Sequence, residues 1–324
     1  MTAWAILLIA AGLGILTVQG VVFAMLRNDS APLLPPAGLT LQPERKAFTV
    51  AVFSDFAGQI DSVEKIGGDI SRNDVAFTLC LGDIVKKRTA LDFLHVTGEI
   101  RECMPCPVYA APGNWDRNDV TGWETYRAYF GQDYYFFGYG DTLFVALNTA
   151  DGNLPEEQRT FLAQTLKRER PHFRRCVIFC HIPPKDPRPE EEHAATPDFS
   201  AIFEDIIRPY RIDLILCGHI HCFTESEMAE TRLVTTPSAG QEIREPDNPM
   251  FGYLLLDFAA DGAIGIRRVD VTPDTGREEM EYFFTVELCR IGWFVGAVAA
   301  MIAGIALLPR GGRKRAKPPE SGNQ

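Results

Sequence analysis

The chain has 324 residues, of which 46% are hydrophobic and 23% charged, and a net charge of −11. This composition excludes a disordered chain, and the acidic balance excludes the basic surface that nucleic-acid binding requires. The length allows one large core or two small ones.

The first element is an apolar run from Trp4 to Leu26 without a charged residue. At 1.5 Å per residue it reaches about 34 Å, enough to cross a bilayer. The alternative is a cleaved signal peptide. However, no Lys or Arg precedes the run, and it exceeds the ~7–15 residues of a signal h-region. An uncleaved transmembrane helix over 4–26 is therefore expected. Residues 27–46 carry Pro32, Pro35, Pro36 and Pro43 and predict an extended tether before a domain over 47–285.

Within 47–271, short apolar runs alternate with amphipathic stretches. The runs cover 48–53, 75–81, 108–110, 143–147, 177–180, 212–217, 233–236, 253–258 and 264–271. Their Val, Ile and Phe content suits strands buried on both faces. The stretches near 60–72, 89–101, 121–130, 155–169 and 199–208 have helical character, with Pro155 and two following glutamates suited to a first turn. This pattern predicts an α/β sandwich. Cys80, Cys180 and Cys217 lie in apolar runs and read as buried. Cys103 and Cys106 form one CxxC without the second pair a zinc ribbon needs, which leaves a local disulfide or two idle thiols.

The run 291–308 is again uncharged and predicts a second transmembrane helix, with a basic tail over 309–324. Arg310, Arg313, Lys314, Arg315 and Lys317 in that tail favour its cytoplasmic placement, which puts the domain outside the cytoplasm. Arg27, Arg45 and Lys46 after the first run pull the other way; the denser tail is given more weight.

Several expected strands end in a metal-ligand side chain. The first leads to Ser54-Asp55, the second to Gly82-Asp83 and the third to Gly113-Asn114-Trp115-Asp116. Two more lead to His181 and to Gly218-His219-Ile220-His221. Carboxyl ends of strands are where α/β sheets gather their sites. Any one motif alone is weak, because an Asp after a strand is usually a turn or cap. The order of five such motifs carries the signal. Of six histidines three lie in them; His95, His172 and His193 receive no role.

These residues resemble the calcineurin-like metallophosphoesterases, whose pattern is D-x-H, G-D, G-N-H-D/E, H and G-H-x-H. The resemblance extends over about 48–258 and includes a segment, 134–148, similar to the family's central hairpin. It implies a two-sheet αββα metallophosphoesterase sandwich, here flanked by two transmembrane helices. It also implies two divalent metal ions (Mn, Fe or Zn). Asp55 and His221 would hold the first, Asp83 would bridge, and Asn114, His181 and His219 would hold the second. Asp83, Asn114 and Asp116 are the expected catalytic residues.

Two positions depart from the pattern. Ala57 stands where the family has a His ligand, and Trp115 where it has a catalytic His. The first loss weakens site one and favours a harder ion such as Mn. Gln59 could supply a neutral oxygen there, although capping the next helix is the favoured reading. The second loss removes help for the leaving group, worth typically 10²–10⁴-fold. Phosphodiesters or pyrophosphates are therefore expected over alkyl monoesters, in a small-molecule or lipid substrate at a bilayer. Trp115 could stack on such a substrate or pack into the vacated space. Arg117 and Lys185 could contact phosphate, but solvated loop charges are the simpler reading. The rival function is a degenerate protein that binds metal or a phosphorylated ligand without turnover.

Overall fold

The computed structural model describes residues 2–28, 32–186, 188, 196–244, 249–272 and 275–308. They fall into two compact units, one over 26–282 and one formed by the segments on either side of it. The basic tail and His193 lie outside the described residues.

The 26–282 unit is built on strands β1 (Thr40–Leu41), β2 (Phe48–Phe53), β3 (Val75–Cys80), β4 (Val108–Ala110), β5 (Tyr135–Tyr139), β6 (Thr142–Ala146), β7 (Arg175–Phe179), β8 (Leu214–Cys217), β9 (Thr224–Met228), β10 (Thr231–Thr235), β11 (Phe251–Phe258) and β12 (Ile264–Val271). One sheet runs β12-β11-β2-β3-β4 and the other β1-β5-β6-β7-β8-β10-β9. Pairing is parallel among β2, β3 and β4, and again among β6, β7, β8 and β10.

Side-chain alternation explains the layers. Phe48, Val50 and Val52 point between the sheets, into a core shared with Phe137, Phe144 and Leu216. Ala51 and Phe53 point the other way, into a core with Val63 and Ile66 of helix Ile60–Ile70 and with Phe93 and Val96 of helix Ala90–Cys103. On the second sheet, Val145 and Ile178 pack against Leu162 of helix Glu156–Glu169 and Phe203 of helix Pro197–Ile207. The order is helix, sheet, sheet, helix. Strands covered on both faces need continuous apolar runs, which is why the sequence displays them.

Three features differ from the sequence expectation. The proline-rich stretch is docked rather than a free tether. Leu33 N–H donates to Tyr129 O at 2.6 Å, Gly38 N–H to Phe136 O at 2.7 Å, and β1 pairs in parallel with β5 to form the edge of its sheet. Prolines suit such an edge because they lack the donor a central strand needs. The polar edge strand β9 and the helix Thr275–Tyr282 were not expected.

In the other unit, helix Thr2–Asn28 contains a stretch, Ala3–Ala24, long and apolar enough to cross a membrane. It is the one such helix among the described residues. Helix Ile291–Leu307 is apolar but has 17 residues, about 26 Å, short of a ~30 Å hydrocarbon core. The two pack antiparallel. Gly12 faces Ala297 and Met301, while Gly304 faces Ala5 and Ile9; a Cβ on Gly304 would lie 2.7 Å from Ala5 O. Small residues let helix backbones approach this closely. The Gln19 side-chain amide donates to Leu288 O at one end of the pair.

Candidate metal centre

The carboxyl ends of β2, β3, β4, β7 and β8 converge, and each delivers the side chain its motif promised. The chain turns sharply there. Asp55, Asp83, His219 and His221 have φ of 58°, 54°, 69° and 52°, in the left-handed region that costs a non-glycine residue about 1–2 kcal/mol. Such backbone persists only where its surroundings over-determine it. Asp55 N–H donates to Gly82 O at 3.0 Å and Ala57 N–H to Asp83 O at 2.8 Å, tying the first two motifs together. Gly218 has to be glycine because a Cβ there would lie 2.7 Å from Ser54 Oγ and 2.8 Å from Asp55 Oδ2.

Asp55, Asp83 and His181 each present a ligand atom, all within 4.8 Å of one another and all buried. His181 Nε2 lies 3.3 Å from Asp83 Oδ1 and 3.0 Å from Asn114 Oδ1. His221 Nε2 lies 3.4 Å from Asp55 Oδ1. The His219 ring stands 5.0 Å from the His181 ring, centroid to centroid, and lines the same cleft. All six expected ligands are thus in one place, with Asp55, Asp83 and His181 forming the tight cluster.

The surroundings orient these groups as metal ligands are oriented. His181 Nδ1 is 2.7 Å from Leu81 O and His221 Nδ1 is 2.6 Å from Glu242 O. A carbonyl only accepts, so each Nδ1 donates and each Nε2 is left to face the carboxylates. His219 N–H and Ser54 Oγ–H donate to Asp55, and Trp115 N–H donates to Asp83 Oδ1 at 2.8 Å. Two carboxylates and an amide oxygen then face two imidazole nitrogens across a small space. This donor set fits a divalent cation.

The titration behaviour has the same origin. Burial alone would raise the Asp55 carboxyl, but His221, His181 and Ser54 outweigh it and hold it at about 2. Burial alone would lower the His181 imidazole, but Asp83 and Asp55 outweigh it and raise it to about 10. His219 is pushed down to about 4, by burial and then by the charge of His181. The two carboxylates thus favour the protonated form of the His181 imidazole.

Asp116, expected among the catalytic residues, also braces the site. Its carboxylate is wholly buried and accepts from the N–H groups of Gly113 at 2.8 Å, Ile84 at 2.8 Å and Val85 at 3.2 Å. It pins the Asp83 loop to the Asn114 loop. Gln59 occupies the N-cap position of helix Ile60–Ile70, yet its side chain makes no capping bond. It lines the cleft beside Ala57. Trp115 does not fill a vacated space. It is 38% exposed at the cleft rim, with the Arg88 guanidinium 5.6 Å from its ring centroid. Arg117 and Lys185 are exposed and line no part of the cleft. Cys103 and Cys106 are unbridged. His95 is buried in its helix, where burial pushes its imidazole down to about 4.

The cleft has a volume of about 510 Å³, and its walls add residues not singled out from the sequence: Lys86, Gly240, Gln241, Glu242 and Arg244. Lys86 was within reach, since it opens the run Lys86-Lys87-Arg88 three residues after Asp83. Arg244 lies in a loop with no motif to mark it.

No curated protein matches the chain in sequence. Among solved structures, it resembles the purple acid phosphatase PPD1 from yellow lupin (Lupinus luteus) with a TM-score of 0.56 at 16% identity, covering 73% of this chain and 56% of that one. The chain thus spans little more than half of the lupin protein. It resembles a dimetal phosphatase from Danio rerio with a TM-score of 0.53 at 14% identity, over 70% of this chain and all of the other. It resembles GAP50, the anchor in the inner membrane complex of Plasmodium, with a TM-score of 0.52 at 12% identity, over 75% and 96%. At these identities the likeness concerns the fold. In sequence, the family model for calcineurin-like phosphoesterases matches residues 48–223, more than half of the chain. The chain belongs to the calcineurin-like phosphoesterase family.

Proposed function

We propose that this phosphoesterase is a membrane-anchored, metal-dependent hydrolase that favours phosphodiesters or pyrophosphates over alkyl monoesters. The observation that carries the reading is the convergence of Asp55, Asp83 and His181 within 4.8 Å, with Asn114 and His221 at hydrogen-bond range of that cluster. Asp55 and His221 would hold one ion, Asn114, His181 and His219 a second, and Asp83 both. When bound, two divalent ions supply Lewis-acid charge to the phosphoryl oxygens and lower the pKa of water. Ala57 leaves the first set with one imidazole and two carboxylates, a donor set that favours Mn over Zn.

The chain's own residues do the rest. Leu81 O and Glu242 O keep His181 and His221 in the ligating tautomer. The Trp115 amide orients Asp83. Trp115 offers no proton to a departing alkoxide, and this supports the preference for good leaving groups. The same two departures, Ala57 and Trp115, favour the second reading, a protein that binds a phosphorylated ligand without turnover. GAP50 is described as an anchor on a similar fold.

For the anchor, two spans are favoured by the antiparallel packing of the terminal helices through Gly12 and Gly304. Two spans would put both ends of the chain on one side of the membrane and the domain between them on the other. The charges of the basic tail favour the cytoplasm for the ends.

The test is the metal content of the full chain, purified in detergent, with rates on bis- and mono-p-nitrophenyl phosphate. Manganese-dependent hydrolysis with the diester faster is expected. Bound metal without hydrolysis of either ester would give the second reading.

A further inference from the structure

Lys86 reaches the metal cleft from the loop after β3, and it is half-buried. No carboxylate among the described residues pairs with it. Its ammonium instead sits 5.0 Å over the Tyr282 ring centroid. Tyr282 is itself held: its ring is 5% exposed, and its hydroxyl donates to Asp92 Oδ1. Asp92 is wholly buried and locked in a reciprocal cap with Thr89 at the start of helix Ala90–Cys103. A lysine with four rotatable bonds is thereby held on one side by an aromatic face, and no carboxylate among the described residues neutralises it. Such a half-buried cation, on the wall of a cleft for a phosphoryl group, is arranged for a negative charge that arrives with a ligand.

We propose that Lys86 binds a second anionic group of the substrate, next to the phosphoryl at the metal ligands, and that Tyr282 is the positioning residue that holds it. The substrate class is then an organic diphosphate, in which one phosphoryl meets the Asp55–Asp83–His181 cluster and the other meets Lys86. The inference rests on the hydrolase reading for the cluster. It deepens that reading by naming what the rest of the substrate carries. Arg244, on the wall of the same cleft, is only loosely paired, 3.8 Å from the largely exposed Glu242, and can join Lys86. Tyr282 closes the helix that ends the 26–282 unit, outside the stretch matched by the family model.

The experiment is equilibrium dialysis of inorganic phosphate and methylenediphosphonate, a diphosphate analogue whose P–C–P bridge cannot be hydrolysed, with the full chain in detergent at a buffered free manganese concentration. The parent should prefer the diphosphonate. Lys86→Ala should reduce that preference about tenfold, the size of one charge-assisted hydrogen bond, with phosphate affinity nearly unchanged. Tyr282→Leu should reduce it about two- to fivefold. Tyr282→Phe, which keeps the ring and loses the hydroxyl, should restore it. The double variant Lys86→Ala/Tyr282→Leu should be no worse than Lys86→Ala, because Tyr282 acts through Lys86. Competition by ADP and by geranyl diphosphate separates a nucleotide from a lipid carrier, and whichever binds must weaken in Lys86→Ala. If the parent hydrolyses esters but Lys86→Ala keeps the full preference for the diphosphonate, this inference is overturned and the hydrolase reading stands. If the preference behaves as described and no ester is hydrolysed, the diphosphate subsite stands and turnover fails. Additive losses in the double variant would overturn the role given to Tyr282.

Discussion

The backbone N–H of Trp115 donates to Asp83 Oδ1 at 2.8 Å, while the indole of the same residue stands at the rim of the cleft. Residue 115 therefore does two separable things. Its amide orients the carboxylate proposed to bridge two ions, which any side chain permits. Its side chain is proposed to stand where a proton donor would assist the leaving group, which an indole does not do. Trp115→His should leave metal content unchanged. It should speed an alkyl phosphate monoester by about tenfold or more while changing bis-p-nitrophenyl phosphate little, because only the former needs help for its leaving group. Equal acceleration of both esters would show that position 115 acts on binding instead.

Ala57 poses the complementary test. It lines the cleft next to Gln59 and has a φ of 43°. Ala57→His keeps that left-handed backbone and adds an imidazole to a ligand set that has one. Elemental analysis after dialysis should show metal rising toward two ions per chain, at a stability cost within about 1 kcal/mol since both residues are strained there alike. Unchanged metal content would mean that Gln59 already serves as the missing donor.

A cation bound as proposed would compete with a proton for His181 Nε2. Its imidazole is raised in the folded protein, so the stability it contributes is fully present below its ordinary value of 6.5 and is lost as pH rises toward about 10. The metal-free protein should therefore lose thermal stability between these two values. Saturating manganese should flatten the decline, since the ion replaces the proton between Asp83 and Asp55. A decline of the same depth with and without manganese would show that the ion does not sit at His181.

Asp116 holds three backbone N–H groups in a buried loop pair. Asp116→Ala strands those donors, and the cost should be about 3 kcal/mol or more of unfolding free energy, by the penalty for unpaired buried groups. Asp116→Asn should cost less, since its amide oxygen still accepts. A catalytic acid would give the opposite signature, with activity lost in both variants at unchanged stability.

The sequence displayed most of this fold because most strands are covered on both faces. Burial forces a continuous apolar run, and such runs can be read without knowing the partner. Thr224–Met228 escaped because an edge strand buries one side, and its alternation of half-buried and exposed residues carries no apolar run. The docking of 32–46 escaped because its bonds go to Tyr129 and Phe136, about a hundred residues away. Within the site, motif order picked out the six residues that the structure brings together, since each follows a strand. Motif order also picked out Asp116, but could not show that its carboxylate accepts from three backbone N–H groups. Lys86, Arg244 and Tyr282 carry no motif. Only packing shows that Lys86 and Arg244 line one cleft and that a phenol ring lies against the Lys86 ammonium.

The anchor can be tested without a folded domain. Reporters fused after the first helix and at the C-terminus should lie on opposite faces of the membrane, with the C-terminal reporter cytoplasmic. Both on the same face would leave a single span.

Asp83 is proposed to organise a metal centre that hydrolyses phosphoesters. The most direct measurement is the rate of bis-p-nitrophenyl phosphate hydrolysis by the chelator-treated full chain as manganese is added back, parent against Asp83→Asn. Recovery is expected in the parent, and a loss of about a hundredfold or more in Asp83→Asn, because a neutral amide is a poor bridge between two cations. Manganese-dependent hydrolysis by Asp83→Asn at the parental rate would contradict it.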